Sequence, residues 1–581
     1  MFRFLIRLAP STPKSCIFDS NTKASVKVYH LQEYAKYRSG LLEHDSSPDA
    51  RSACGPYRAE SVRDIALYRR IEDWRFLVKD VNACIRDLSP TQLVATAIAY
   101  WRLGRVGRSE WKALCSAAAR YAYNPNANIS GISSSEVALI LCCYARVFTQ
   151  QVPSSLSLLR WIVRDVGRLN ERDICMILFY MRRMGCLSPK LESPTHQMYA
   201  GMLRAIVMGL AVEGGNKLSK FSPRGLVCVV YNLACIGHIP WSVVYRACNV
   251  IRKNVGQLDL KAMALHARSL AMLKFPDTRT LELFAVAIER MKMVDTASIT
   301  CLLHSYAKLG YRQRGNFTSL LERIHKGIFL FKDHEVAQVS FAMGQLGYRC
   351  NEVFESIFLF LENRILHQSP QNLSMFMQSF AKVGLYRREI VELLMGHAKD
   401  MKVGEAVGAY MKQQSGFTFS QVLTLLDACV VIGHYDKDAY EWLLSAITQH
   451  SEDELSQGVL NKLNRIMYCI RLERPEFVEV ATPATRTLID MYQGNFQMDP
   501  PPEPREPLYE CLQELGVDYE RSSAIGPYRV DALLSNGLAL DMLSEASLCP
   551  ITREQLGSVQ LKSRHLKLLG YQPAHISLRE W

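Results

Sequence analysis

No two of the 17 cysteines in this 581-residue sequence stand in a C-x-x-C pair. The spacing that marks zinc ribbons and thioredoxin-like redox centres is therefore missing. Most cysteines, among them Cys142, Cys143, Cys228, Cys301, Cys429 and Cys469, fall inside apolar helical patterns. They read as small buried hydrophobes of a reducing compartment rather than disulfide partners or metal ligands. Long apolar runs are missing too. The stretch Leu226 to Gly237 is short and interrupted, well below the roughly 18 residues that span a bilayer, which excludes an integral membrane protein of the helical kind. There is no Walker A, G-x-G-x-x-G, H-E-x-x-H or G-x-S-x-G motif. Gly214-Gly215-Asn216-Lys217 has the wrong spacing for a phosphate loop, and His334-Glu335 lacks a second histidine. Nothing in the sequence indicates a cofactor or a small-molecule substrate.

What is present is ordinary in composition but basic. The chain is 49% hydrophobic and 22% charged, enough apolar residues to bury a core, and its formal net charge is +13. The sign favours a polyanionic partner such as nucleic acid. The opening MFRFLIRLAPSTPKSC sets Arg3, Arg7 and Lys14 between apolar residues, with no acid before Asp19. That is the profile of a transit peptide, and we expect residues 1–50 to be a transit peptide and disordered start, with a frayed basic terminus as the alternative. Mitochondrial (matrix) and plastid leaders share this composition. Residues 51–87 read as a helical lead-in.

Between residues 88 and 472 one pattern recurs. A Ser, Asp, Asn or Thr is followed by about fourteen residues of 3.6-period apolar spacing, then an apolar residue and usually glycine, as in SPTQLVATAIAYWRLG (Ser89 to Gly104) and SPQNLSMFMQSFAKVG (Ser369 to Gly384). The polar residue caps the first turn, a following proline suits the first helical position, and the glycine takes the left-handed conformation that ends a helix. The copies end at 104, 148, 185, 237, 274, 310, 347, 384, 433 and 471, and six of the nine intervals lie between 36 and 38 residues. A second apolar pattern fills each period, so the unit is a helical hairpin and residues 88–492 are expected to form an α-solenoid. Three places before the end the residue is often small (Ala145, Ala234, Ala271, Ala307, Gly344, Ala381), which lets neighbouring helices approach.

Two places before the end stand Arg102, Arg146, Arg183, Lys308 and Lys382, with Gln345 in a further copy. Stacked in register, these cations would make a stripe suited to a phosphate backbone. The same residues are favoured in a last helical turn by its exposed carbonyls and macrodipole, so the column has a purely structural explanation as well.

A proline-rich segment, residues 493–507, marks a linker, and residues 508–581 form a separate module. Its pattern is strand (Tyr528 to Leu534), turn (Ser535-Asn536-Gly537), strand (Leu538 to Leu543), helix (Thr552 to Leu569, with Thr552 as cap and Gly570 as stop) and a last strand, a ββαβ order. GPYRVDALLSNGLALDM and LKSRHLKLLGYQPAHISLREW resemble the RAP domain, an RNA-binding module of organellar proteins. The most specific matches are Arg529-Val530-Asp531, Leu540-Asp541, Lys562 through Arg564 to Leu566, Gly570-Tyr571 and Glu580-Trp581. Beside such a module the helical array resembles heptatricopeptide repeats, in a layout similar to the FAST kinase domain family. The resemblance implies a mainly α protein with a small restriction-endonuclease-like α/β end. It further implies binding of mitochondrial RNA, ribosomal or messenger, in processing, stability, translation or ribosome assembly, with mitochondrial ribosomal proteins as further partners.

In the restriction-endonuclease-like fold an acid on one strand and an acid-x-lysine on the next hold a metal and activate water. Asp531 and Asp541 occupy the acidic places, but Leu543 stands where lysine is expected, although Lys562 on the following helix has the reach to replace it. We therefore expect no enzyme activity and read the pair as structural or RNA-positioning. Residues 505–581 carry eight basic against ten acidic residues, so attraction to phosphate must come mainly from the repeats. Its local RNA-contact candidates are Lys562, Arg564, His565 and Lys567, with Tyr571 or Trp581 to stack a base; a solvated basic helix face is the alternative. Two further readings stay open: a structural subunit of the mitochondrial ribosome or another ribonucleoprotein, and a metal-dependent endoribonuclease.

Overall fold

The structure, a computed structural model, describes residues 24–38 and 75–578, except 105, 124–130, 150–151, 165, 185–193, 212–217, 238–240, 292–294, 313–317, 402–415, 449–455, 481 and 492–504. It divides into two compact units, residues 1–258 and 259–581. The first contains α1 (Ala24–Arg38), α2 (Arg75–Ala83), α3 (Pro90–Leu103), α4 (Arg108–Tyr123), α5 (Ser134–Val147), α6 (Pro153–Val163), α7 (Glu171–Arg183), α8 (Pro194–Ala211), α9 (Pro223–Ile236) and α10 (Trp241–Lys253). The second begins with α11 (Leu260–Leu273), α12 (Thr278–Glu289), α13 (Thr296–Leu309), α14 (Thr318–Gly327), α15 (Asp333–Leu346), α16 (Asn351–Arg364), α17 (Pro370–Val383), α18 (Arg388–Asp400), α19 (Phe419–Ile432), α20 (Lys437–Thr448) and α21 (Gln457–Glu473). Two short helices follow, α22 (Pro475–Val480) and α23 (Pro483–Met491).

Within each unit odd-numbered helices pack on odd-numbered neighbours through α21, and even-numbered ones on even-numbered neighbours through α20, which is the layering of stacked helical hairpins. Local signals set the helix bounds. Ser89 and Ser369 each accept a bond from the amide three residues on, with Pro90 and Pro370 in the first turn. Gly104, Gly237, Gly310, Gly347, Gly384 and Gly433 close their helices at positive φ. Lys332 has no capping side chain, and there the Glu335 carboxylate accepts the Lys332 amide instead, at 3.0 Å. The small-residue column has the expected purpose where it can be measured: a Cβ on Gly344 would lie 2.7 Å from Ser379 Cα on the next odd helix. The final copy runs to Glu473, past the expected end at Arg471.

Residues 24–38 depart from the expectation of an unstructured start. They form α1, which packs on α2 and α3 through buried Val28, Leu31, Tyr34 and Ala35. These side chains recur at helical spacing, and covering α3 removes them from water. The transit-like opening, residues 1–23, lies outside the described residues, as does the expected repeat end at Gly185.

The carboxy-terminal module contains α24 (Glu506–Glu514), β1 (Tyr519–Arg521), β2 (Ala524–Ile525), β3 (Tyr528–Arg529), β4 (Ala532–Leu534), β5 (Leu538–Leu543), α25 (Gly557–Leu568) and β6 (Gln572–Ser577). The main sheet has the order β1-β4-β5-β6; β4 and β5 are antiparallel across the turn at Gly537, and β5 and β6 are parallel, with α25 as the crossover. The ββαβ core is present, with β1, the β2–β3 hairpin and α24 added to it. α25 starts at Gly557 rather than Thr552. The Arg553 amide bonds back to the Cys549 carbonyl and Arg553 itself lies at φ 62°, a tight turn that a helix cannot contain. The module belongs to the same compact unit as the later repeats instead of standing apart behind a linker. Among the described residues no helix is long and apolar enough to cross a membrane.

Candidate nucleic-acid interface

In the first unit the expected cations do different work. Arg146 is exposed, and its guanidinium lies 4.4 Å from the Trp101 ring centroid and 5.8 Å from that of Phe179. Arg182, one place before the expected Arg183, lies 5.2 Å from both Phe179 and Tyr231. Trp101, Arg146, Phe179, Arg182 and Tyr231 thus alternate aromatic ring and guanidinium across α3, α5, α7 and α9. Each such contact contributes about 0.5–1 kcal/mol at an exposed site. Arg183 instead donates to the Ala145 carbonyl at 3.3 Å, in the last turn of the neighbouring helix α5. Arg102 is half-buried at the end of α3. Phe179 and Tyr231 both stand six places before the ends of their copies and Trp101 three, but other copies put Cys142, Arg268 and Asp427 in the first of these columns, so no uniform aromatic column marks them.

In the second unit Lys308 is exposed at the end of α13, and Lys382 donates to the Gln345 side chain one repeat away. There the carboxy-terminal module covers the helix ends. α25 packs on α17, α19 and α21, and Leu556, which precedes it, with its own Gln560 and Arg564 meet the cap glycines Gly347, Gly384 and Gly433 in turn. A four-residue step on one helix thus matches one repeat on the other. Gly557 approaches the Ala381 carbonyl so closely that a Cβ has no room.

This docking corrects the expectation that α25 offers a basic patch to RNA. Arg564 donates to the Val430 and Val431 carbonyls at 2.8 and 3.2 Å, which caps the end of α19, and pairs with Glu473 at 3.0 Å. His565 is fully buried between Glu473 and the Tyr528 hydroxyl, the latter at 2.7 Å. Because Glu473 only accepts, a neutral imidazole donates through Nε2 and accepts from Tyr528 at Nδ1. Burial alone would raise the Glu473 carboxyl, but the bonds from His565 and Arg564 outweigh it and hold the group below its ordinary value. Lys567 stays exposed, Tyr571 packs against a small apolar cluster of the module, and Trp581 lies outside the described residues.

Asp531, immediately before β4, and Asp541, on β5, are both buried and lie beside each other. Lys562 takes the place left by Leu543: its ammonium lies 2.6 Å from Asp541 Oδ2 and donates to the Arg529 carbonyl at 2.6 Å. Asp531 Oδ2 accepts the Met542 amide at 2.7 Å, its Oδ1 lies 3.7 Å from Arg505 Nε, and Asp541 Oδ1 accepts the Asp531 amide at 3.3 Å. Each carboxylate oxygen thus faces a protein donor, and the pair braces the hairpin. Burial, with the neighbouring Asp531, raises the Asp541 carboxyl, and Lys562 opposes that shift. Among the described residues no group of three or more His, Cys, Asp or Glu side chains is placed to hold a metal.

Of the cysteines read as core, Cys142, Cys143, Cys429 and Cys469 are buried, and burial pushes the Cys143, Cys429 and Cys469 thiols up to about 12. Cys228 and Cys301 are half-buried.

No family model matches the chain, and no curated protein matches it. Among solved structures it is similar to a chain of a homology model of the full-length AP-3 complex in an intermediate open conformation, with 12% identity, a TM-score of 0.27, and 81% of this chain and 82% of that chain covered.

Proposed function

We propose that the chain is a non-enzymatic RNA-binding protein of an organelle, the mitochondrion in the first instance, serving RNA processing, stability, translation or ribosome assembly. The observation that carries this reading is the alternation of Trp101, Arg146, Phe179, Arg182 and Tyr231. Aromatic faces and guanidinium planes stack unpaired bases, and the guanidinium charge attracts the backbone. The net charge of +13 agrees with a polyanionic partner. The ββαβ core, with Asp531, Asp541 and Lys562 gathered on it, supports the RAP-like reading of the module.

In direct binding of the purified full chain to single-stranded RNA, Arg146→Ala with Arg182→Ala should weaken affinity by about tenfold and make its dependence on log salt shallower by about 1. Unchanged affinity at an unchanged melting temperature overturns the assignment. A second reading, a structural subunit of a ribonucleoprotein such as the mitochondrial ribosome, is favoured by the exposed apolar side chains Phe329, Leu330, Leu359 and Leu366. Sedimentation with large particles, together with weak binding to free RNA, would select it.

A further inference from the structure

Between the carboxy-terminal module and the ends of the repeat helices lies a cavity of about 710 Å³. Six cations line it: Arg312, Lys382, Arg465, Arg505, Arg529 and Lys562. It also meets three acids, each already matched to a lining cation. Asp427 pairs with Arg465, Asp541 with Lys562 at 2.6 Å, and Asp531 faces Arg505 at 3.7 Å. Asp427 must also serve Lys462, at 3.2 Å. Among the described residues, the hydrogen bonds of Arg312 and Lys382 go to neutral acceptors, the Glu545 carbonyl at 3.3 Å and the Gln345 side chain, so neither bond cancels a charge. Burial lowers the Lys382 amine, repulsion from the nearby Arg312 and Lys462 charges lowers it further, and Asp427 opposes both.

An anion in the cavity would relieve that repulsion, and its size and charge can be bounded. A volume of this order holds a small organic ligand and is far too small for a folded RNA. A terminal phosphate monoester carries about −1.5 to −2 charges, against −1 for an internal diester, and so matches the two cations whose bonds are neutral. We infer that this cavity receives a nucleotide-sized phosphate monoester, presented by the end of an RNA strand. The inference rests on the RNA-binding reading and names the chemical group recognised.

The test compares binding of the full chain to one oligoribonucleotide carrying a 5′-phosphate, a 3′-phosphate or neither, and to a nucleoside monophosphate alone. One phosphorylated form should bind at least about tenfold more tightly than the form with neither, that preference should vanish in Lys382→Gln and Arg312→Gln, and Lys382→Arg should keep it. Melting temperatures confirm that each variant is folded. Equal binding of the three oligonucleotides overturns the inference and leaves RNA binding standing. Binding of the monophosphate without any oligonucleotide keeps the cavity and overturns the RNA reading, whereas binding of neither overturns both.

Discussion

Lys274 closes α11 at φ 53° and ψ 38°, a left-handed conformation that six other odd helices assign to glycine. A side chain pays roughly 1–2 kcal/mol there because its Cβ crowds the following carbonyl. Lys274→Gly should therefore stabilise the chain by a fraction of that, about 0.5–1 kcal/mol after the added freedom of the unfolded state is deducted. Thermal or urea unfolding checks it. The sequence pointed to this residue because seven of the ten copies end on glycine. By contrast Phe148 and Met184, which end α5 and α7, have φ −116° and −75° and need no such freedom.

At the scale of the element, α25 decides what the module does. Its four basic or titratable candidates lie on one short stretch and look alike in sequence, yet three of them turn inward to Asp541, Glu473 and the end of α19. Those partners stand 21 to 134 residues away in the chain, so no local spacing identifies them. Gly557→Ala should separate docking from folding: its Cβ would drive into the Ala381 carbonyl, whereas the helix itself would gain from alanine. We expect faster proteolysis of the module and a loss of about 1–3 kcal/mol in unfolding free energy, the range for overpacking a close contact. Unchanged proteolysis would mean that α25 does not sit against α17.

The second unit as a body is held at Glu473, which joins the last repeat helix to α25 through Arg564 and His565. A carboxylate whose folded pKa lies below its unfolded one stabilises the fold above the unfolded value, near 4, and that stability is lost as pH falls through the folded value. The docked module should accordingly hold at neutral pH and loosen only in the acid range below about pH 4. Glu473→Gln should bring that loosening to neutral pH, read by amide hydrogen exchange across α25. Equal exchange in the variant at neutral pH would show that the carboxylate does not hold the joint.

The sequence alone determined the helical hairpins, their period and most of their bounds, because each helix carries its own cap, apolar stripe and stop within about four turns. It also marked the ββαβ core through one hairpin turn and one helix pattern. The tertiary structure decided which cations face solvent, which aromatic side chains flank Arg146 and Arg182, and where the module rests. It also added α1, which lies in a stretch whose polar flanks hid a short apolar stripe that α3 covers. These outcomes depend on groups brought together from distant parts of the chain, where the balance between desolvation and pairing is settled only on contact. Arg146 and Arg564 are both basic residues on helices. One lies exposed between aromatic rings and the other is tied to a buried carboxylate, and only the packing of their neighbours distinguishes them.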